Sequence, residues 1–191
     1  MRRKDEAKKG KIFEASLDVL INHGFVDFSM GKVARQANIA VGTIYLYFKH
    51  KEDLLNQLYL KLYQESVDRF LEHYNPNDSF REGLKLVWVN YLKHRINHYK
   101  ESHFLEQYYK SPYINDNHKR LAEQMKKPIH DIIIKGKELG LVRRDVDNEM
   151  IFLGMLGFIR ELADEHVGKV YVLDEDRINK AFEMSWNMIK A

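Results

Sequence analysis

Residues 29–51 read SMGKVARQANIAVGTIYLYFKHK. Ser29 is a favoured N-cap residue, so a short helix is predicted to begin just after it. The apolar residues of that helix recur at helical spacing and are Met30, Val33, Ala34 and Ala37. Asn38 tolerates a positive φ and predicts a turn, and another short helix is expected over about residues 40–48. The segment is therefore predicted to form two short amphipathic helices joined by a tight turn.

The outer side of the second of these helices has side chains suited to double-stranded DNA. Ile44 and Phe48 are expected to pack inward. The side chains then left on or beside the exposed face are Thr43, Tyr45, Leu46 and Tyr47. Hydroxyl groups contact bases or phosphates, leucine contacts the thymine methyl group, and a major groove about 12 Å wide accepts a helix. Gly42 permits close approach of the backbone, and Lys51 is expected to direct its charge at the phosphates. In the alternative interpretation, the leucine and the tyrosines pack in a helical core.

The composition is that of a globular protein of one or two domains. Of the 191 residues 45% are hydrophobic, three are proline and ten are glycine. The absence of cysteine excludes disulfide bonds and cysteine-based metal or nucleophile chemistry. The sequence shows no signal peptide and no apolar window of membrane-spanning length, so a soluble, cytoplasmic protein without membrane contact is expected.

Positive charge is concentrated at one end of the chain. Residues 1–51 contain ten Lys and Arg against five Asp and Glu, whereas residues 52–191 contain 21 against 23. A local excess of positive charge is expected where a protein meets a polyanion. Basic N-termini also occur in proteins of other kinds, so the charge alone leaves both interpretations open.

Apolar residues with a period of 3.6 predict an all-α fold of about nine helices. One face of the first helix, which is expected to end at Gly24, carries Ile12, Phe13, Leu17, Leu20 and Ile21. A long fourth helix is expected over about residues 51–74. Ser79 and Glu82 predict a capping box for the fifth, and a short element is expected around residues 104–109.

Three further helices are predicted in the C-terminal part of the chain. The first runs from about residue 116 to residue 139, and Pro128 is expected to kink or split it. Gly140 is expected to end this helix. Asp147 is expected to cap the eighth helix, and Asp174 or Asp176 the ninth.

Residues 10–58 resemble the DNA-binding domain of the TetR family of transcription regulators. The similarity is carried by the segments Ile12–Gly24, Ser29–Ala37, GTIYLYF at 42–48 and KEDL at 51–54. It implies a fold of nine or so helices, of which three form the DNA-binding helix-turn-helix domain. The others form a helical domain for ligand binding and dimerisation.

The resemblance also implies domain limits and DNA contacts. Residues 1–51 correspond to the DNA-binding domain and residues 52–191 to the second domain, with helix four connecting the two. By position in the family motif, the DNA contacts are Ser29, Met30, Gly31, Val41, Gly42, Thr43, Tyr45, Leu46, Tyr47 and Lys51.

Three positions depart from the family pattern. Ala40 stands where the family usually has serine, which removes a helix cap worth about 1 kcal/mol or less and one hydroxyl that can contact phosphate. Asn38 replaces a turn glycine. His50 stands where Ser or Asn often caps helix four, so a weaker cap is expected there.

Apolar stripes on the last two helices predict a homodimer. A two-fold axis would combine both stripes from each copy into a four-helix interface, and the family resemblance implies the same. The predicted interface residues are Gly154, Phe158, Leu162, Phe182, Ser185, Trp186 and Ile189. In the alternative interpretation, these stripes belong only to the core of one chain.

Large adaptable side chains in the second domain predict a pocket for a small apolar or aromatic ligand. The candidates are Trp88, Tyr91, Tyr99, Phe104, Tyr108, Met125, Phe152 and Met155, with His103 and Gln107 as polar groups that orient the ligand. Each of these residues is equally compatible with a place in the core.

His94, His98 and His103 are spaced closely enough to hold a metal ion on one helical face. Their neighbours Arg95 and Lys100 are typical of a solvated face instead, and no metal or cofactor is predicted. Phosphate-binding loops, nucleophile motifs and paired carboxylates are not found, so an enzyme is not expected.

These patterns favour a dimeric repressor that a small-molecule effector releases from its DNA operator. A regulator that is independent of ligand, or an activator with the same DNA-binding mode, fits the same residues. A helical adaptor whose N-terminal part docks a partner protein is the alternative from another class. The adaptor predicts no affinity for duplex DNA.

Overall fold

The computed structural model describes residues 2–191, with side chains from residue 5 onward. This range contains nine α-helices and one isolated bridge between Val142 and Lys190, so the all-α prediction is confirmed. The helices are α1 Arg2–His23, α2 Met30–Gln36, α3 Val41–Tyr45, α4 Lys51–Phe70, α5 Phe80–Asn97, α6 Tyr99–Tyr109, α7 Asp116–Glu138, α8 Asn148–Val167 and α9 Glu175–Ile189. Among these helices none combines the length and the apolar character needed to cross a membrane.

The chain forms two compact units. Unit 1 contains the residues up to Tyr63 together with Lys100–Arg120, and unit 2 contains Gln64–Tyr99 together with Leu121–Ala191. Helices α4 and α7 each contribute residues to both units. Apart from its first residue, Tyr99, helix α6 thus belongs to the same unit as the helix-turn-helix, and so does the segment after it.

Side-chain caps begin three of the helices where the sequence predicts them. Ser29, Asp147 and Asp174 each accept a hydrogen bond from the backbone N–H three residues later. Such caps satisfy donors that the first helical turn leaves without a partner. Ala40 makes no side-chain cap, as expected. At the start of α4 the backbone N–H of Asp53 donates to Nδ1 of the His50 ring at 3.2 Å, so His50 caps this helix.

Left-handed backbone conformations end or join helices at the predicted positions. Gly24 and Gly140 have φ of 70° and 71°, and Asn38 has φ of 52° between α2 and α3. Asn is one of the few residues other than glycine that accept this conformation.

Two local predictions are wrong, and a third is wrong in part, because Pro128 was expected to kink or split α7 and does not split it. Ser79 precedes α5 without a side-chain hydrogen bond, so no capping box forms. Pro128 does not split α7, which runs unbroken through it. The ring lies on an exposed face, where water can satisfy the carbonyl that proline leaves without a donor. Helix α4 ends at Phe70, four residues earlier than expected.

Unit 2 has a core built from α5, α8 and α9. Trp88 of α5 is buried at its centre, donates from Nε1 to Ser185 Oγ at 3.0 Å, and meets the Phe182 ring edge-on at 5.9 Å. The hydrogen bond satisfies the indole N–H, which burial would otherwise make costly.

Candidate nucleic-acid interface

Helix α3 presents an uncovered outer face on unit 1. Leu46 is 80% exposed and Tyr45 53% exposed, whereas Ile44 and Phe48 on the inner side are buried. Phe48 packs against Phe13 of α1 with ring centroids 5.5 Å apart. The alternative in which Tyr45 and Leu46 pack in a helical core is therefore contradicted.

The predicted contacts at the start of α2 divide between the surface and the core. Ser29 is exposed and its hydroxyl accepts from Lys32 N–H at 3.3 Å. Met30 is buried in the core of unit 1, so its side chain presents no surface to DNA. Gly31 is half-buried.

The first turn of α3 is open. Val41 and Gly42 are exposed, and a Cβ added at Gly42 would meet no protein atom within 4 Å. The absence of a side chain at Gly42 thus leaves the backbone accessible. Thr43 is half-buried beside it.

Tyr47 is held by the first helix. Its hydroxyl donates to Asp5 Oδ1 at 3.0 Å. Desolvation, this hydrogen bond and the charge of Asp5 all raise the pKa of Tyr47. The phenol is therefore protonated at neutral pH and able to donate to a phosphate oxygen once it leaves Asp5.

Lys51 contacts an aromatic ring of its own unit. Its Nζ lies 4.8 Å from the centroid of the Tyr113 ring and 3.4 Å from the Tyr113 hydroxyl oxygen. A cation over an aromatic face is attracted by about 0.5–1 kcal/mol at exposed sites. Sequence reasoning did not find Tyr113, although the aromatic residues around positions 104–113 were a visible signal.

Tyr113 belongs to a cluster of aromatic rings within unit 1. The members are Phe25, Tyr59, Tyr63, Phe104, Tyr108 and Tyr113. The Tyr108 hydroxyl donates to Asn56 Oδ1 at 2.7 Å, and burial followed by the charge of Glu52 raises its pKa. The cluster joins α6 to α4 and to the loop after α1.

The predicted pocket residues fall in both units. In unit 1, Phe104 and Tyr108 are buried in the aromatic cluster, whereas His103 and Gln107 are exposed and hydrogen bond to each other at 2.7 Å. The members in unit 2 are Trp88, Tyr91, Tyr99, Met125, Phe152 and Met155; Trp88, Phe152 and Met155 are buried, and the other three are partly buried.

The interpretation of the histidine region as a solvated face is wrong for two residues. His94 and Arg95 are buried in unit 2. Ser66 and Asp164 are their hydrogen-bond partners there and offset the loss of water. Within residues 2–191 no group of histidines and carboxylates is arranged to hold a metal ion.

The predicted dimer residues also divide between core and surface. Phe182, Ser185 and Ile189 are buried inside one chain, and a side chain without accessible surface cannot bury more against a second copy. Gly154, Phe158, Leu162 and Trp186 are partly buried. The exposed apolar side chains of α8 and α9 are Met150, Leu153, Met184 and Met188. A dimer surface on these helices thus depends on methionines and a leucine that lie outside the predicted set of interface residues.

Comparison with known proteins identifies the family. The family model of bacterial regulatory proteins of the tetR family matches residues 12–58, and that of the tetracyclin repressor-like C-terminal domain matches residues 80–190. An uncharacterised HTH-type transcriptional regulator of Haemophilus influenzae is 25% identical over 180 residues, which are 94% of each chain. The probable acrEF/envCD operon repressor of Escherichia coli is 31% identical over 99 residues, 48% of this chain and 44% of the repressor.

A solved structure confirms the fold. The crystal structure of a TetR family transcription regulator from Marinobacter aquaeolei has a TM-score of 0.92 at 23% identity, covering 100% of this chain and 99% of that one. Both family models match at the segments that form the helix-turn-helix and the C-terminal helices. The protein is therefore a DNA-binding transcription regulator rather than an enzyme, and it belongs to the TetR family.

Proposed function

We propose that the protein is a dimeric repressor, released from its operator when a small molecule binds unit 2. The observation that carries DNA recognition is the uncovered face of α3, where Leu46 and Tyr45 are exposed beside the open backbone of Gly42. Repression is supported by the similarity to the probable acrEF/envCD operon repressor of Escherichia coli.

Dimerisation is supported by the apolar surface of α8 and α9. Met188 of α9 packs over Gly154 of α8, because a Cβ atom added at Gly154 would lie 3.1 Å from Cε of Met188. This contact makes the exposed faces of the two helices continuous. Contiguous apolar surface on a soluble protein commonly marks an interface. Two DNA-binding domains related by a two-fold axis read half-sites about 34 Å apart on one side of a duplex.

Release by a ligand follows from differential binding. A small molecule lowers DNA affinity only if it binds more tightly to the protein conformation that has the weaker hold on the operator. Unit 2 supplies the large side chains Trp88, Phe152 and Met155 for such a site.

Binding to the DNA upstream of its own gene tests the proposal, with fluorescence anisotropy as the measurement and random duplex as the reference. Leu46→Ala is expected to weaken the specific complex and change sequence preference, because it removes a contact with base edges. Lys51→Ala is expected to weaken all duplexes and to reduce the slope of log affinity against log salt by about 1. Val26→Ala, at an exposed apolar residue outside α3, is the control and should bind as wild type.

Equal losses from Leu46→Ala and Val26→Ala would contradict recognition by α3. Failure of the wild-type protein to form any specific complex at modest salt would contradict the proposed repressor. A specific complex that no small molecule weakens would instead identify a ligand-independent regulator.

A further inference from the structure

Helix α5 buries two adjacent polar side chains in unit 2. His94 is 4% exposed and Arg95 is 3% exposed. Arginine stays charged in proteins, and burying either residue is costly unless partners replace the lost water. The partners come from two other helices, Ser66 of α4 and Asp164 of α8.

His94 has one nitrogen engaged and one without a protein partner. Its Nε2 lies 3.0 Å from the hydroxyl oxygen of Ser66, which is itself buried. The ring is fixed by the edge of Phe70 and by stacking on His98, both with centroids 5.1 Å away. Nδ1 is buried and has no hydrogen-bond partner among the described residues. A rigid, desolvated polar atom of this kind is ready to bond a ligand.

The charges that act on the His94 ring are those of His98, Arg69 and Arg95. Burial first, and then these groups, lower the pKa of His94 to about 3, so the ring is neutral with a single N–H. The carboxylates of the region pair with the arginines instead. Arg95 Nη2 lies 3.2 Å from Asp164 Oδ1, and Arg69 Nη2 lies 3.6 Å from Glu65 Oε2. Asp164 and Glu65 are not among the groups that change the pKa of His94, so the positive groups outweigh the carboxylates at the ring and favour a negative ligand group.

We propose that this buried centre of Ser66, His94 and Arg95 binds the carboxylate of a small apolar acid. When Ser66 donates its hydroxyl proton to Nε2, the His94 N–H is at Nδ1 and donates to the ligand carboxylate. A single negative charge fits better than a phosphate dianion, because Asp164 already offsets much of the Arg95 charge. The flanking rings of Phe70 and Tyr91, whose centroids are 4.6 Å apart, suit the apolar part of the acid.

This inference rests on the proposed function only in taking the bound acid to be the effector. Binding itself is measured without DNA, by isothermal titration of the full-length protein with sodium benzoate and sodium octanoate. Benzyl alcohol and octan-1-ol, which match the acids in size but carry no charge, are the reference ligands. We expect the acids to bind at least about tenfold more tightly than the alcohols, since hydrogen bonds to charged groups are the stronger ones.

His94→Leu tests the Nδ1 contact, because it removes the polar atom and keeps an apolar side chain in the core. It is expected to lose at least about tenfold in affinity for the acids and little for the alcohols. His23→Leu, at an exposed histidine of unit 1 that belongs to no predicted site, is the matched control and should bind as wild type. Should His94→Leu misfold, the NMR signals of the His94 ring nitrogens in the wild-type protein give the same answer, because bound acid shifts the Nδ1 signal.

Equal affinity for acids and alcohols, no binding of either acid, or a His94 ring signal that ignores the acids would each overturn the inference. Acid binding that leaves operator affinity unchanged has a different meaning. It supports the carboxylate site and contradicts the proposed release by a ligand, so the two failures can be told apart.

Discussion

Replacing Met184 by alanine is expected to weaken the dimer strongly. Met184 lies on α9 and is 63% exposed in the single chain. Burying a whole methionine side chain stabilises by about 1.5–3 kcal/mol, so covering the exposed part in an interface contributes about 1–2 kcal/mol. A two-fold axis places the residue in the interface twice. The loss is thus at most about 2–4 kcal/mol per dimer, which raises the dissociation constant about 30- to 700-fold.

Sedimentation equilibrium over a range of protein concentrations measures this constant directly. Leu139→Ala is the matched control, because Leu139 is 54% exposed but follows α7 and lies outside α8 and α9. The control is expected to associate as wild type. Thermal unfolding of each variant, recorded under conditions where the protein is monomeric, shows whether the fold of the chain is preserved.

Two results would refute this reasoning. A wild-type protein that stays monomeric at every concentration has no interface on α8 and α9 to weaken. Equal association of wild type and Met184→Ala would place the dimer surface elsewhere on the chain.

Two further predictions concern stability. Gly136→Ala is expected to destabilise the fold by about 1–3 kcal/mol in urea denaturation, because the added methyl group would collide with Phe80 and Val142. Helix propensity alone predicts a higher free energy of unfolding for the variant, and that result would contradict the close packing at Gly136. Asp53 has its pKa lowered, since hydrogen bonds from Gln57 and the Lys49 N–H outweigh desolvation. Its stabilising contribution is therefore complete above the ordinary pKa of 3.8 and lost as pH falls through the lower folded value. The difference in the free energy of unfolding between wild type and Asp53→Asn should become smaller at acid pH. A difference that is constant with pH would contradict the stabilising role of the ionised Asp53 carboxylate.

The parts of the fold that depend on local chemistry could be predicted from the sequence. Ser29, Asp147 and Asp174 cap helices because the cap requires only a side-chain oxygen and a backbone N–H three residues later. Asn38 turns the chain for an equally local reason. Exposure of Leu46 was predictable because α3 is too short for all its apolar residues to share one buried side.

Contacts that depend on distant residues could not be predicted in this way. Lys51 is 62 positions from Tyr113, and only the fold places its ammonium group at that ring. From the sequence alone, a lysine at this position of the family motif predicts a phosphate contact equally well. To reach a phosphate, Lys51 must give up its attraction to the Tyr113 ring, which is worth about 0.5–1 kcal/mol. A charge-assisted hydrogen bond to a DNA phosphate is stronger than this attraction.

The same limit explains why the polar centre of unit 2 was misinterpreted as a solvated face. Helical periodicity assigns charged residues to the solvent side, so His94 and Arg95 beside Lys93 predict exposure. Their burial depends on Ser66 and Asp164, 28 and 69 positions away, which no local pattern connects to α5. A binding site inside a helical unit needs polar groups of this kind, held in the interior by other helices. Such residues therefore contradict amphipathic patterning wherever they occur, and each mismatch between pattern and burial marks a place to look for a ligand.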